Sequence, residues 1–175
     1  LLEPSEFCLG FIGNKSEFNV DALNVAVNYL ESASNVKLLV VGSVCDALMS
    51  SFSWLCKIGD INDLTDFYSR INCSVNTVLY GSGIKTKNIE SLYFGVPVIT
   101  TSVGAEGLEE FIGKGIFIAD TEVEFFAAVN EIRNIPNLKD YRKDLAKHTQ
   151  LAFSQEAVYR ELNQFLLPFT RNKNV

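Results

Sequence analysis

The chain is poor in the residues that build metal and redox centres. It has one histidine, His148, and four cysteines, Cys8, Cys45, Cys56 and Cys73, none in a C-x-x-C pair. The common zinc spacings are therefore excluded, and no metal is expected. Cys8, Cys56 and Cys73 fall in strand-like runs and read as buried free thiols, as suits a reducing cytosol. Positive charge is also scarce. Fifteen Lys and Arg face 21 Asp and Glu, a net −6 with no basic block, which argues against a nucleic-acid partner. No apolar run is long enough to span a bilayer, and no signal-peptide pattern opens the chain. A Walker A loop is absent. So is G-x-G-x-x-G, because Thr86 follows where a third glycine would stand after Gly81 and Gly83. Gly13-Asn14-Lys15 lacks the acidic pair that a receiver domain carries after its first strand. The sequons Asn14-Lys15-Ser16 and Asn72-Cys73-Ser74 read as chance, since the second abuts a strand expected to be buried.

What is present is an ordinary globular balance, 47% hydrophobic and 21% charged over 175 residues. That is enough for one domain with a real core. Strand-like runs alternate with helical patterns. Strands are expected over 7–13, 37–41, 54–58, 73–80, 96–101 and 115–119. Helices are expected over 18–32, over 63–71 (capped by Asn62), from the glycine turn up to Gly95, from a cap at Asp120 or Thr121 up to Pro136, over 138–153 and over 155–169 (with Val158, Leu162, Phe165 or Leu166 and Phe169 as an apolar stripe), with a short one at 45–51. Leu23, Ala26, Val27 and Leu30 lie on one helical face. Such alternation implies parallel βαβ units: an α/β, Rossmann-like parallel sheet of about six strands flanked by helices. Ligands in these sheets bind beyond the carboxyl ends of the strands. The glycines Gly13, Gly42, Gly59, Gly81 and Gly104 all follow strands and should share that edge.

The centre of the chain is Gly81-Ser82-Gly83-Ile84-Lys85-Thr86-Lys87, between two apolar runs. It reads as strand, glycine turn, helix. The glycines let backbone approach a ligand. The helix start offers free N–H groups and a positive dipole end, a ready phosphate site. Lys85 and Lys87 oppose that dipole and so imply an anion nearby. Glu90, three residues after Lys87, lies on the same helix face and leans back toward the turn. A carboxylate there suits ribose hydroxyls.

This segment resembles the donor-binding signature of GT-B glycosyltransferases, group 1 and family 4-like. In that family a glycine turn, a helix with a ribose-binding glutamate, a small-Gly-x-Pro-Val run and a T/S-x-x-G segment come in order. Here they read Gly81-Ser82-Gly83, Glu90, Gly95-Val96-Pro97-Val98 and Thr101-Ser102-Val103-Gly104-Ala105-Glu106-Gly107. Phe11-Ile12-Gly13-Asn14 with Asn19-Val20-Asp21-Ala22 is similar to the family's first loop. The resemblance implies the C-terminal, nucleotide-sugar half of such an enzyme, over residues 1–153. Residues 154–175 would form a helix crossing toward a missing N-terminal acceptor domain. The opening Leu1-Leu2-Glu3, without methionine, fits a domain excised from a longer protein.

The resemblance also implies roles. Asn14 and Lys15 would face the donor phosphates, the alternative being a solvated loop. Ile58 and Gly59 would present backbone to the nucleobase, the alternative being a simple strand end. Glu106 would touch the sugar or ribose, or cap the next short helix, which is the preferred reading. His148 reads as a surface residue, and the family's catalytic histidine would lie in the missing domain. Ser82 stands where many members carry the first of two glutamates spaced E-x7-E, so the stereochemical outcome is open. The expected reaction moves a sugar from a nucleoside-diphosphate sugar to a glycan or lipid-linked acceptor, in cell-surface polysaccharide or glycolipid synthesis. No cofactor is implied. The location would be cytoplasmic, with any attachment to the inner face of the membrane made by the missing domain. The alternatives are a nucleotide-sugar epimerase of GT-B architecture and a non-enzymatic Rossmann-like binding module.

Overall fold

The computed structural model describes residues 7–33, 35–49 and 51–159. The strands are β1 (Phe7–Ile12), β2 (Val36–Val41), β3 (Leu55–Gly59), β4 (Cys73–Asn76), β5 (Val98–Thr100) and β6 (Ile116–Ile118). They form one parallel sheet in the order β3-β2-β1-β4-β5-β6. The helices are α1 (Glu17–Leu30), α2 (Leu64–Arg70), α3 (Thr86–Tyr93), α4 (Ser102–Ala105), α5 (Glu122–Arg133), α6 (Leu138–Ala152) and α7 (Gln155–Val158). The chain builds outward from β1 to β3, then crosses back to lay β4 on the other side of β1. The order therefore reverses between β1 and β4, where the crevice of an open α/β sheet lies.

Strand side chains alternate between two buried faces, as parallel sheets require. On one face Leu9, Phe11, Leu38, Val40 and Val75 pack against Leu23, Ala26 and Leu30 of α1 and Phe125, Val129 and Ile132 of α5. On the other, Cys8, Leu39 and Val41 meet Phe67 and Tyr68 of α2 and Ile71 just after it. Farther along that side Val98 and Ile116 meet Leu92 of α3 and Leu145 of α6. Gly10 is the reason α2 can lie so close to β1: an added Cβ would meet Ile71 Cδ1 at 2.4 Å.

Several expectations shift. The fourth strand stops at Asn76, short of Tyr80. Its neighbour β5 ends at Thr100 and turns into a helix, so the ladder has no partner beyond Asn76. Side chains hold the continuation instead: Thr77 Oγ1 donates to Ala22 O and Thr101 Oγ1 to Val78 O. The short helix expected over 45–51 is a 3₁₀ turn, Ser43–Ala47. Asp63, not Asn62, caps α2, its Oδ1 accepting from Thr65 N at 2.8 Å. Cys56 is exposed, not buried, because β3 is an edge strand whose side chains are little covered. The last predicted helix is described only over Gln155–Val158; of its apolar stripe Val158 is exposed, while Leu162, Phe165, Leu166 and Phe169 lie outside the described residues.

Candidate functional site

The loops at the carboxyl edge are tied together by backbone. Gly13 N donates to Val41 O at 3.0 Å, Val44 N to Gly13 O at 3.1 Å, and Gly42 N to Gly59 O at 2.7 Å. Gly42 has φ +94°, and a Cβ there would lie 2.3 Å from Gly13 O. Beside this framework, at the point where strand order reverses, opens a cleft of about 360 Å³. Phe18 and Asn19 from the start of α1 form one wall, and Val78, Tyr80, Gly81, Ser82 and the stretch from Ile84 to Lys87 form the other.

The turn is built as its residues predict. Gly81 and Gly83 have φ of +117° and +75°, with nothing within 4 Å of either added Cβ. Both face open space in a backbone region that disfavours other residues. α3 then starts without a side-chain cap, its N-cap being Lys85. Side chains cap α1, α2, α4, α5, α6 and α7, namely Ser16, Asp63, Thr101, Thr121, Asn137 and Ser154. Asn88 N donates back to Lys85 O at 2.9 Å, and the amides of Thr86 and Lys87 before it are left for something else.

The two lysines differ. Lys85 folds back, its Nζ 2.6 Å from Gly83 O and 3.4 Å from Gly81 O, and braces the turn. Lys87 reaches across the cleft floor to Ile12 O (3.1 Å) and Asn19 Oδ1 (2.5 Å), over the Phe11 ring. Burial pushes its pKa down to about 8, against the opposing pull of Glu90. Two of its three donors are engaged by the protein. Glu90 sits one turn down, half-buried and outside the cleft walls, and accepts from Tyr68 Oη at 2.7 Å.

The remaining candidates lie around this centre. Asn14 and Lys15 are exposed on the β1 loop; Asn14 accepts from Asn19 Nδ2, and Lys15 N donates to Ser43 Oγ. Ile58 and Gly59 end the edge strand, with the Gly59 carbonyl engaged by Gly42; neither lines the cleft. Glu106 caps no helix. Thr101 caps α4, Gly107 N is satisfied by Glu109, and the Glu106 carboxylate lies 4.0 Å from Lys85 Nζ. The exposed His148 rests edge-on against Phe111. Among the described residues no three His, Cys, Asp or Glu side chains converge as metal ligands.

Sequence reasoning missed a buried polar truss. Asn88, 1% exposed, accepts from Asn76 Nδ2 at 2.8 Å and donates to Gly104 O at 2.8 Å and Thr100 Oγ1 at 3.5 Å. It locks the first turn of α3 to β4, β5 and α4. Gly104 fits there because a Cβ would stand 1.9 Å from Thr100 Oγ1. Asn19 was missed as well, although it lies within the quoted Asn19-Val20-Asp21 stretch. Its place three residues after a serine cap, in the first turn of α1, was the available signal.

With this geometry in view, residues 6–134 match the family described as glycosyl transferases group 1. The chain belongs to that family. An uncharacterized 44.6 kDa protein in the cps region of Klebsiella pneumoniae is 29% identical over 93 residues, 52% of this chain and 24% of that protein. Sucrose-phosphate synthase from Thermosynechococcus elongatus superposes with a TM-score of 0.72 at 18% identity, covering 97% of this chain and 47% of that one. Anabaena HepE, solved in complex with UDP, gives 0.72 at 12% identity, covering 94% and 49%. At such identities the solved structures establish the fold, that of GT-B glycosyltransferases. The group 1 chain spans about half or less of each of these proteins. No helix among the described residues is long and apolar enough to cross a membrane.

Proposed function

We propose that this chain is the donor-binding part of a glycosyltransferase acting in surface-polysaccharide synthesis, and that its cleft holds the diphosphate of a nucleoside-diphosphate sugar. One observation carries the reading. The uncapped start of α3 opens, with two lysines, into the crevice where strand order reverses. Backbone amides from Gly83 to Thr86 grip the diphosphate, and Lys87 supplies charge from below. These groups are fixed before the reaction, so they stabilise the charge that grows on the departing diphosphate without reorganising. In that role the protein's own cations act where a metal would otherwise serve. Glu90 takes the ribose hydroxyls, and the carboxyl ends of β2 and β3, with Ile58 and Gly59, form the base side. Asn14 and Lys15 cover the phosphates from the β1 loop, and Ser82 faces the transferred sugar as a neutral hydroxyl.

The relatives support this reading. HepE was solved with UDP and glucose, and S. aureus TarM with UDP and α-GlcNAc-glycerol. The cps-region relative favours a polysaccharide pathway. The acceptor, a glycan or lipid-linked glycan, and the residues that handle it belong to an N-terminal domain outside this chain. A thermal-shift panel of UDP, GDP and ADP tests the proposal. One of them should raise the melting temperature, by mass action on the folded state. Lys87→Met should weaken that ligand by about tenfold or more, the value of one lost charge-assisted contact. No stabilisation by any of the three would overturn the reading.

A further inference from the structure

Glu90 is not held by its own helix. Its carboxylate is fixed by a side chain from α2, whose sequence gives no hint of the contact. Tyr68 is 1% exposed, its ring stacked on Phe94 at 4.7 Å between centroids and edge-on to Phe67 at 4.9 Å. Its backbone is clamped in turn. Arg142 of α6 donates through Nη2 to Tyr68 O at 2.8 Å and through Nη1 to Ile71 O at 3.0 Å. Neither the ring nor its backbone has room to move. The hydroxyl therefore lies at a fixed point 2.7 Å from Glu90 Oε1. Burial first, and the neighbouring Glu90 second, hold the phenol well above its ordinary titration range. It stays an O–H donor at any working pH.

A free glutamate on a helix face samples several rotamers, and a ligand that needs one of them bears the ordering cost. Tyr68 removes that freedom in advance. It engages one carboxylate oxygen and leaves the other, with the remaining lone pairs, for a ligand diol.

We propose that Tyr68 is the positioning residue for Glu90, setting its carboxylate to receive the 2′- and 3′-hydroxyls of the donor's ribose. This rests on the nucleotide-sugar reading above. Three elements then converge on one acid: α3 carries it, α2 aims it, and α6, through Arg142, holds α2 in place.

The test is Tyr68→Phe, which keeps the stacked ring and removes only the hydroxyl. Affinities for UDP and for 2′,3′-dideoxy-UDP are measured by calorimetry, or for the guanosine or adenosine pair if that base is preferred. The wild type should favour the ribose nucleotide, by about tenfold for two hydroxyls on a carboxylate. Tyr68→Phe should cut that preference severalfold and leave the dideoxy affinity nearly unchanged. Adding Tyr68→Phe to Glu90→Ala should cost no further preference, since the two act as one unit. A variant that weakens both nucleotides alike, or keeps the wild-type ratio, shows a merely structural tyrosine and overturns the proposal. A wild type that binds UDP but does not distinguish the pair removes Glu90 as the ribose group, and Tyr68 with it. A wild type that binds no nucleotide defeats the functional reading itself.

Discussion

Lys87 carries the largest conflict between folding and function. Burial lowers its pKa to about 8, below the ordinary 10.5. A diphosphate bound beside it would favour the charged form and raise the value again. Nucleotide affinity should therefore fall as pH rises from 7 to 9, by up to about tenfold per pH unit above the free-state pKa. Calorimetry across that range checks this, and Lys87→Met should flatten the profile. Stability without ligand should slope the other way. The unfolded chain binds the Lys87 proton more tightly than the folded one, so between about pH 8 and 9 Lys87 makes stability rise with pH. Above that window the buried Cys73 thiol and Tyr68 phenol, both raised mainly by burial, oppose the trend. A site lysine that weakens the empty fold is expected where function and stability compete.

At the scale of elements, α3 matters through how it is held. The buried Asn88 joins it to β4, β5 and α4, and Ser91 Oγ adds bonds to Ser74 Oγ and Val96 O. Asn88→Ala would leave buried partners unsatisfied. It should cost about 2–3 kcal/mol in chemical denaturation and weaken nucleotide binding as well. Thr121→Ala breaks the capping box that starts α5 and should cost about 1 kcal/mol with nucleotide affinity intact. Equal effects of both on affinity would mean that α3 has no special place. The helices were legible because their apolar spacings are local: the Leu23–Leu30 face says what α1 buries, although its Ser16 cap went unread and the α2 cap fell one residue off, at Asp63. The strand ends were less so. Val75 to Tyr80 looks like one apolar run, but its length in the sheet is set by β5, a partner 20-odd residues away. The Tyr68–Glu90 and Asn76–Asn88 pairs join separate elements for the same reason, and no local pattern announces them.

For the whole molecule, alternation of strands and helices implied a parallel sheet, and the glycines after each strand implied one functional edge. The order β3-β2-β1-β4-β5-β6 came only from the structure, because periodicity says nothing of which strands are neighbours. That order places the glycine turn of residues 81–83 beside the β1 loop. It turns a weak motif into a cleft with a floor, two walls and an open helix end. The most direct measurement is a titration of the ¹⁵N-labelled chain with UDP, or whichever of GDP and ADP binds best, followed by amide chemical shifts. The account predicts that the largest changes fall on Gly83, Thr86 and Lys87, with Asn19 next and little change in the separate groove beside β6 and α5, lined by Ile112, Ile118 and Glu131. Largest changes in that groove, with the start of α3 silent, would contradict it.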